Sequence, residues 1–284
     1  MSEPGITQKA IWFVESHFRS SPDLAEIADA CDTTPFHLTR TFATTTGVTL
    51  ARYVRARRLS EAARSLAAGS EDILSLALET GYGSHEAFTR AFKQQFGKTP
   101  EEVRAARSLA QVKTMEPMNM HQTRTIKLKT PRFEKPGQRL FAGLQRTYDC
   151  NEPNGLPDQW QEFGPFIGQI KNQKDPVAYG ICHNFDEEGN FDYLTAVEIS
   201  EKSDLPKGFV TLLIPAQEYV VFRHEGHVAD IRSTISAAYS DWFPESGKVA
   251  AESPMLERYG PEFNPTTGKG GLEIWIAIKD KSAK

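Results

Sequence analysis

The pattern that most restricts this chain is a repeat. Ile73–Arg107 reads ILSLALETGYGSHEAFTRAFKQQFGKTPEEVRAAR. It opens on apolar Ile73, Leu76 and Ala77 and turns at Gly81-Tyr82-Gly83. Ser84 is a suitable N-cap for a second helix, which Phe88 and Phe92 would hold down. Helix, short turn, helix is the layout whose second helix can enter the DNA major groove. Subtracting 50 recovers much of it: Phe88 falls on Leu38, Arg90 on Arg40, Phe92 on Phe42, Gly97 on Gly47 and Thr99 on Thr49. Upstream of the turn the offset is 49, so Ala77 falls on Ala28. Matches of several residue types at one offset mark two copies of one unit. The first copy spans Ser21 to Thr46, with Ser21-Pro22 expected to cap its first helix and Thr34-Pro35 its second.

Between the copies, Thr49–Ala67 lacks Pro and Gly and is rich in Ala, Leu and Arg, so it reads as one helix. At ~1.5 Å per residue it makes a rod of roughly 28 Å, near the ~34 Å between successive major-groove faces. One chain then holds two reading helices about one DNA turn apart. A monomer suffices for such a site, with a dimer as the alternative. Ile6–Phe18 reads as a further helix packed under the first copy. Thr99-Pro100-Glu101-Glu102 is a capping box that opens a closing helix to about Leu109.

Charge fits nucleic acid locally rather than globally. Residues 1–112 hold thirteen basic and thirteen acidic side chains. From Arg40 to Ser70, however, six arginines face one acid, Glu61. The bases cluster on the reading and linking segments, where phosphates would lie, and Arg52 and Arg55 are the expected phosphate contacts.

On these residues the first part resembles the AraC/XylS family of transcription activators. The run GYGSHEAFTRAFKQQFGKTPEEVR and the earlier PFHLTRTF carry the likeness, which covers residues 6–112. The resemblance implies two helix-turn-helix units joined by a long helix. It also implies promoter DNA and RNA polymerase as partners, and base reading by the second helix of each unit. Position by position this offers Phe36, Thr39 and Arg40 in the first unit, and His85, Glu86 and Arg90 in the second.

Ser108–Gln122, polar and methionine-rich, reads as a loose linker, with 113–122 as the domain boundary. From Thr123 the period changes. Ile126 and Leu128 alternate with lysines, as in a strand. Further strands are expected at Arg139–Leu144, Val177–Cys182, Asp192–Ile199, Gly208–Ile214, Glu218–Arg223 and Gly271–Ile278. Helical spacing appears over Asp158–Ile170, with a kink at Gly164-Pro165, and over Val228–Phe243. PGQRLFAGL at 136–144 before one helix parallels PAQEYVVF at 215–222 before the other. The expected whole is multidomain: an all-α double helix-turn-helix domain over 1–112, then an α+β domain over 123–284 with a duplicated antiparallel sheet. A ligand groove is expected where its halves meet.

The run from IPAQEYVVF through ERYGPEF to GGLEIWIAIK resembles the GyrI-like small-molecule-binding domain over about 123–281. The resemblance places a functional glutamate at Glu273, at the centre of that groove. By alternation Glu273 shares a strand face with Trp275, opposite Ile274, Ile276 and Ile278. A half-buried carboxylate among rings suits a lipophilic cation. Tyr193, Trp160, Cys182 and Tyr148 are further candidate liners.

The residues point to no metal, cofactor or catalytic group. His224-Glu225-Gly226-His227 lacks a convincing third ligand and reads as a turn. Cys31, Cys150 and Cys182 are odd in number and widely spaced, which is neither a disulfide framework nor a zinc pattern. With no long apolar run and no signal pattern, a cytoplasmic protein without membrane association is expected. The expected function is a ligand-responsive transcription regulator, an activator and not an enzyme. The rivals are a GyrI-like hydrolase with Glu273 as general base, and a protein-interaction module fused to a DNA-binding domain.

Overall fold

A computed structural model describes residues 5–17, 22–69, 72–118, 126–149, 155–186, 189–202 and 204–281. Among the expectations above, Ser21 as a cap, Phe18, Cys150 and Thr123 lie outside these residues. The chain divides into two compact units: Met1–Pro35 with Thr49–Gln122, and Phe36–Val48 with Thr123–Lys284.

Seven helices precede the first strand among the described residues. They are α1 Ile6–His17, α2 Leu24–Ala30, α3 Pro35–Thr46, α4 Leu50–Ala67, α5 Ile73–Glu79, α6 His85–Phe96 and α7 Pro100–Ala106. Capping decides where they start. Asp23, not Ser21-Pro22, begins α2: its carboxylate accepts from the Glu26 N–H while Glu26 reaches back to the Asp23 N–H. Ser84 caps α6, and Thr99 with Glu102 forms the capping box of α7. That helix stops at Ala106, short of Leu109, because Arg107 turns left-handed at φ 46°. Gly47 and Gly97, repeat-equivalent, both take positive φ, 79° and 69°, where a side chain would be strained.

In the first unit Phe88, Phe92, Leu76, Ile73 and Val103 close a core against Leu59, Ala63 and Leu66 of α4. The segment after α7 is not loose up to Met118. Val112 is buried in the same core. The Met115 N–H donates to Ser60 Oγ at 2.8 Å, and Arg57 Nη1 to the Met115 carbonyl at 2.8 Å. The Met118 N–H donates to the Tyr53 hydroxyl at 3.2 Å. Two hydroxyls and a buried guanidinium on α4 thus give a stretch with no regular structure a fixed path.

The second unit is built on an antiparallel sheet. Its strands are β1 Arg132–Glu134, β2 Arg139–Asp149, β3 Gln173–His183, β4 Asn190–Ile199, β5 Phe209–Ile214, β6 Tyr219–His224, β7 Lys248–Ala250, β8 Met255–Tyr259 and β9 Leu272–Asp280. The order is β1-β6-β9-β8-β3-β4-β2-β5, and β7 adds to β9. The triplets β6-β9-β8 and β3-β4-β2 mirror each other, so the expected junction of two halves is the β8–β3 pair. Ile126 and Leu128 form no strand; the edge strand starts at Arg132. Two strands, β7 and β8, appear where none is expected.

Helix α8 Leu156–Phe163 ends in one tight turn at Gly164–Phe166, at the expected kink. The second helical segment is α9 Ile231–Ala237, a wide π-type turn at Ala238–Trp242, and α10 Phe243–Ser246. Both segments cover one face of the sheet. Phe163 packs on Ala142, Val197 and Ile199, and Ile235, Tyr239 and Phe243 pack on Val220, Phe222, Ile274 and Ile276. The opposite face curls on itself. The Arg139 guanidinium of β2 lies 5.6 Å from the Trp275 ring of β9, although three strands separate β2 from β9. Four strand spacings of ~4.8 Å would put them about 19 Å apart in a flat sheet. Glu198 accepts from Arg139 at 2.6 Å and so compensates this buried charge.

Candidate functional site

The β8–β3 junction holds a buried carboxylate. Glu257 faces Gly180 across the pair, and it shares the helix-covered face with Met255 by strand alternation. Its Oε2 accepts from the Tyr193 hydroxyl at 2.6 Å and the Tyr259 hydroxyl at 3.0 Å. The Trp160 indole donates to the Tyr193 hydroxyl at 3.1 Å, and its ring stands edge-on to Tyr259 at 4.7 Å. Tyr148 lies edge-on to Tyr193 at 6.4 Å, and Cys182 pairs with Tyr193 in the β3–β4 register. Glycine is required at 180. A Cβ there would stand 2.0 Å from the Tyr193 hydroxyl and 2.7 Å from Glu257 Oε2.

Burial pushes the Glu257 carboxyl above the usual carboxylate range, while the two tyrosine hydroxyls and the charge of Arg232 pull it back. Burial likewise pushes the Tyr193 and Tyr259 hydroxyls well up, so both are protonated donors. A carboxylate among neutral hydroxyls and aromatic rings gains from an arriving cation what it lost with bulk water.

Glu273 differs on every count. Arg132 grips it bidentately at 2.8 and 2.8 Å, Arg258 Nη1 lies 3.5 Å away, and the Trp275 indole donates at 3.1 Å. Burial would raise its pKa, but Arg132, Trp275 and Arg258 outweigh that and hold it below the ordinary range. Its charge is already matched. Glu273 and Trp275 also lie on the sheet face opposite Tyr193, Trp160, Cys182 and Tyr148, with Trp275 packed among Tyr219, Tyr179 and Leu256. One pocket cannot be lined by both sets. Four of the six expected liners therefore gather around Glu257, and Glu273 and Trp275 do not. Glu257 and Tyr259 stood in the ERYGPEF motif, and their i, i+2 spacing after Met255 was the available signal.

The expected DNA-reading residues divide by exposure. Arg90 and Glu86 on α6 are exposed. His85 is half-buried, with Nε2 3.1 Å from Glu101. On α4, Arg52 is exposed and Arg55 half-buried. Arg57 on the same helix is engaged by Glu15 at 2.7 Å and Glu61 at 3.2 Å. On α3, Phe36 and Thr39 are half-buried and Arg40 is buried. Phe36 packs against the core that holds Tyr193 and Met255. The Arg40 guanidinium lies 3.6 Å above the Phe185 ring, and its Nη2 is 3.7 Å from Met255 Sδ. His37, 1% exposed, accepts from the Ala250 N–H at 3.0 Å and packs against the rings of Tyr239 and Phe243.

No helix among the described residues is long and apolar enough to cross a membrane. No group of three or more His, Cys, Asp or Glu able to hold a metal occurs among them.

A doubled AraC-type helix-turn-helix joined to a ligand-type sheet defines a DNA-binding transcription regulator that carries its own small-molecule domain. Residues 27–106 match the helix-turn-helix domain family. Residues 129–279 match the GyrI-like small molecule binding domain, and the chain belongs to that family. It is 27% identical to the transcriptional regulator Rob of Salmonella typhimurium, over 96% of both chains. It is 34% identical to the regulatory protein SoxS of Escherichia coli K12, over 37% of this chain and 97% of that one. Among solved structures it is similar to SAV2435 bound to tetraphenylphosphonium, with 18% identity, a TM-score of 0.45, and coverage of 53% of this chain and 94% of that one.

Proposed function

We propose that the protein is a ligand-responsive transcription activator whose effector is a lipophilic or aromatic cation received at Glu257. Residues 1–112 act as the DNA-binding part and 123–284 as the sensor. The observation that carries the ligand reading is the buried Glu257 carboxylate, held by the Tyr193 and Tyr259 hydroxyls beneath Trp160. Trp160 and Tyr259, both half-buried, are the movable roof. A cation that parts them meets the carboxylate and three rings together, and its charge offsets the desolvation of Glu257. Base contacts come from α3 and α6, with Arg40 and Arg90 as the bidentate readers of guanine, and phosphate contacts from Arg52 and Arg55. RNA polymerase is the second macromolecular partner. The protein acts by binding, in the cytoplasm, without catalysis.

The test is titration of the full chain with tetraphenylphosphonium, followed by tryptophan fluorescence. Glu257→Gln keeps the shape and removes the charge, and is expected to weaken binding at least tenfold. Glu273→Gln is expected to leave it within twofold. Unchanged affinity in Glu257→Gln, or loss in Glu273→Gln instead, would overturn the assignment.

A further inference from the structure

Helix α3 has two claims on the same side chains. By the repeat it is a reading helix, with Arg40 at the position of Arg90. By its contacts Phe36–Val48 belongs to the sheet unit. The seat is specific rather than a generic apolar contact. Phe185 offers its ring face to the Arg40 guanidinium, and Met255 offers its sulfur to the edge. The Ala250 N–H points at the imidazole of His37, which packs against the paired rings of Tyr239 and Phe243. A guanidinium on an aromatic face and a neutral imidazole taking a backbone proton are the contacts that an arginine-bearing reading helix gives up when it turns to DNA.

The seat is also wired to the carboxylate. Met255 lies two residues from Glu257 on one face of β8. Phe185 stacks on Phe191 at 5.1 Å and 9°. Phe191 meets Tyr193 edge-on at 6.5 Å, and Tyr193 holds Glu257. Met255 is thus the same-face neighbour of Glu257 on β8, and Phe185 is linked through Phe191 to the tyrosine that holds Glu257.

We propose that the sheet unit carries a receptor for its own first reading helix, formed by Phe185, Met255 and Ala250, and that a cation at Glu257 releases α3 from it. The second half of this rests on the function proposed above; the first half does not. A seated α3 hides Arg40, so the unliganded protein reads DNA with α6 alone. Release adds the second reading helix, and by linkage specific DNA binding tightens the ligand in turn.

The experiment uses the full chain and a duplex selected from a random pool by the Phe185→Ala protein. Affinity for that duplex is measured with and without tetraphenylphosphonium for wild type, Phe185→Ala, Phe185→Leu and Glu257→Gln. Phe185→Leu keeps most of the volume and loses the ring face, so it stands in if the alanine variant does not fold. Without the cation, the Phe185 variants are expected to bind about tenfold tighter than wild type, within the usual range of coupling. The cation is expected to bring wild type toward the variants and to change Glu257→Gln by less than twofold. Phe185 variants that bind no tighter than wild type would overturn the receptor. Tight variants with no cation effect on wild type would retain the receptor and overturn release by ligand. Fluorescence titration of the same samples shows in that case whether the cation binds at all.

Discussion

Helices α3 and α6 are copies of one unit, and they live in different surroundings. Arg40 and Arg90 occupy the same position of the repeat, yet Arg40 is 6% exposed beneath Phe185 and Met255 while Arg90 faces solvent. Leu38 and Phe42 are as fully buried as Phe88 and Phe92. Duplication therefore preserved the side of the helix that folds and let the side that reads diverge in availability. Where Ala87 stands in the second copy, the first has His37, and the sheet unit uses that imidazole.

The core half of the comparison carries the largest expected effects. Phe42→Ala and Phe92→Ala each open a cavity at a 0% exposed site and should cost about 3–5 kcal/mol in denaturant melts. A cost below about 1 kcal/mol for one of them would break the equivalence of the two copies inside the fold. The reading half should be unequal. Arg90→Ala is expected to cost about 1–3 kcal/mol of specific binding with or without the cation. Arg40→Ala should show a comparable loss only when the cation is present. Equal losses in both variants without the cation, by gel shift on the selected duplex, would mean that the helices are equally available.

The last expected effect is a pH dependence, whose readout in DNA affinity is bounded by the roughly tenfold gap between wild type and the Phe185 variants. Burial, aided by the charge of Lys281, pushes His37 down to about 4. Above the ordinary histidine value of ~6.5 the ring is neutral whether seated or released, and the seat is at full strength. As pH falls below that value the released form takes up a proton and the seated form does not. Each pH step below the released value weakens the seat by ~1.4 kcal/mol until the seated ring also titrates, so at pH 5 the loss should be about 2 kcal/mol. The gap in DNA affinity between wild type and Phe185→Ala should narrow from pH 7.5 to pH 5. A constant gap would remove His37 from the seat.

The helical part was legible because its signals are local. Caps, glycines and apolar spacing are read within a few residues, and they place α3 to α7 within a turn. The errors have equally local causes. Asp23 begins α2 because its carboxylate and Glu26 cap each other at capping-box spacing. In the sheet, longer apolar strands were visible, but β8 is five residues, MLERY, with two charges in the middle. Out of context Glu257 looks like a surface charge, and only the register against Gly180 shows that it lies under Tyr193. Glu273 has the more conspicuous sequence, between isoleucines and beside a tryptophan. Arg132, far away in the chain, neutralises it, and no pattern along one strand reveals that partner. The seat of α3 depends on residues well over 100 positions away in the chain, Phe185, Ala250 and Met255, so the repeat alone presents both arginines as equals.

The tie between α4 and the stretch up to Met118 bears on how the molecule can be cut. A fragment ending at Val112, the natural guess from the repeat, would leave the Ser60 hydroxyl without the Met115 N–H and the Tyr53 hydroxyl without the Met118 N–H. Arg57 would lose one of the acceptors that accompany its burial. Six more residues restore all three. For anyone isolating the DNA-binding part, the useful boundary lies past the last helix, in a segment with no regular structure of its own.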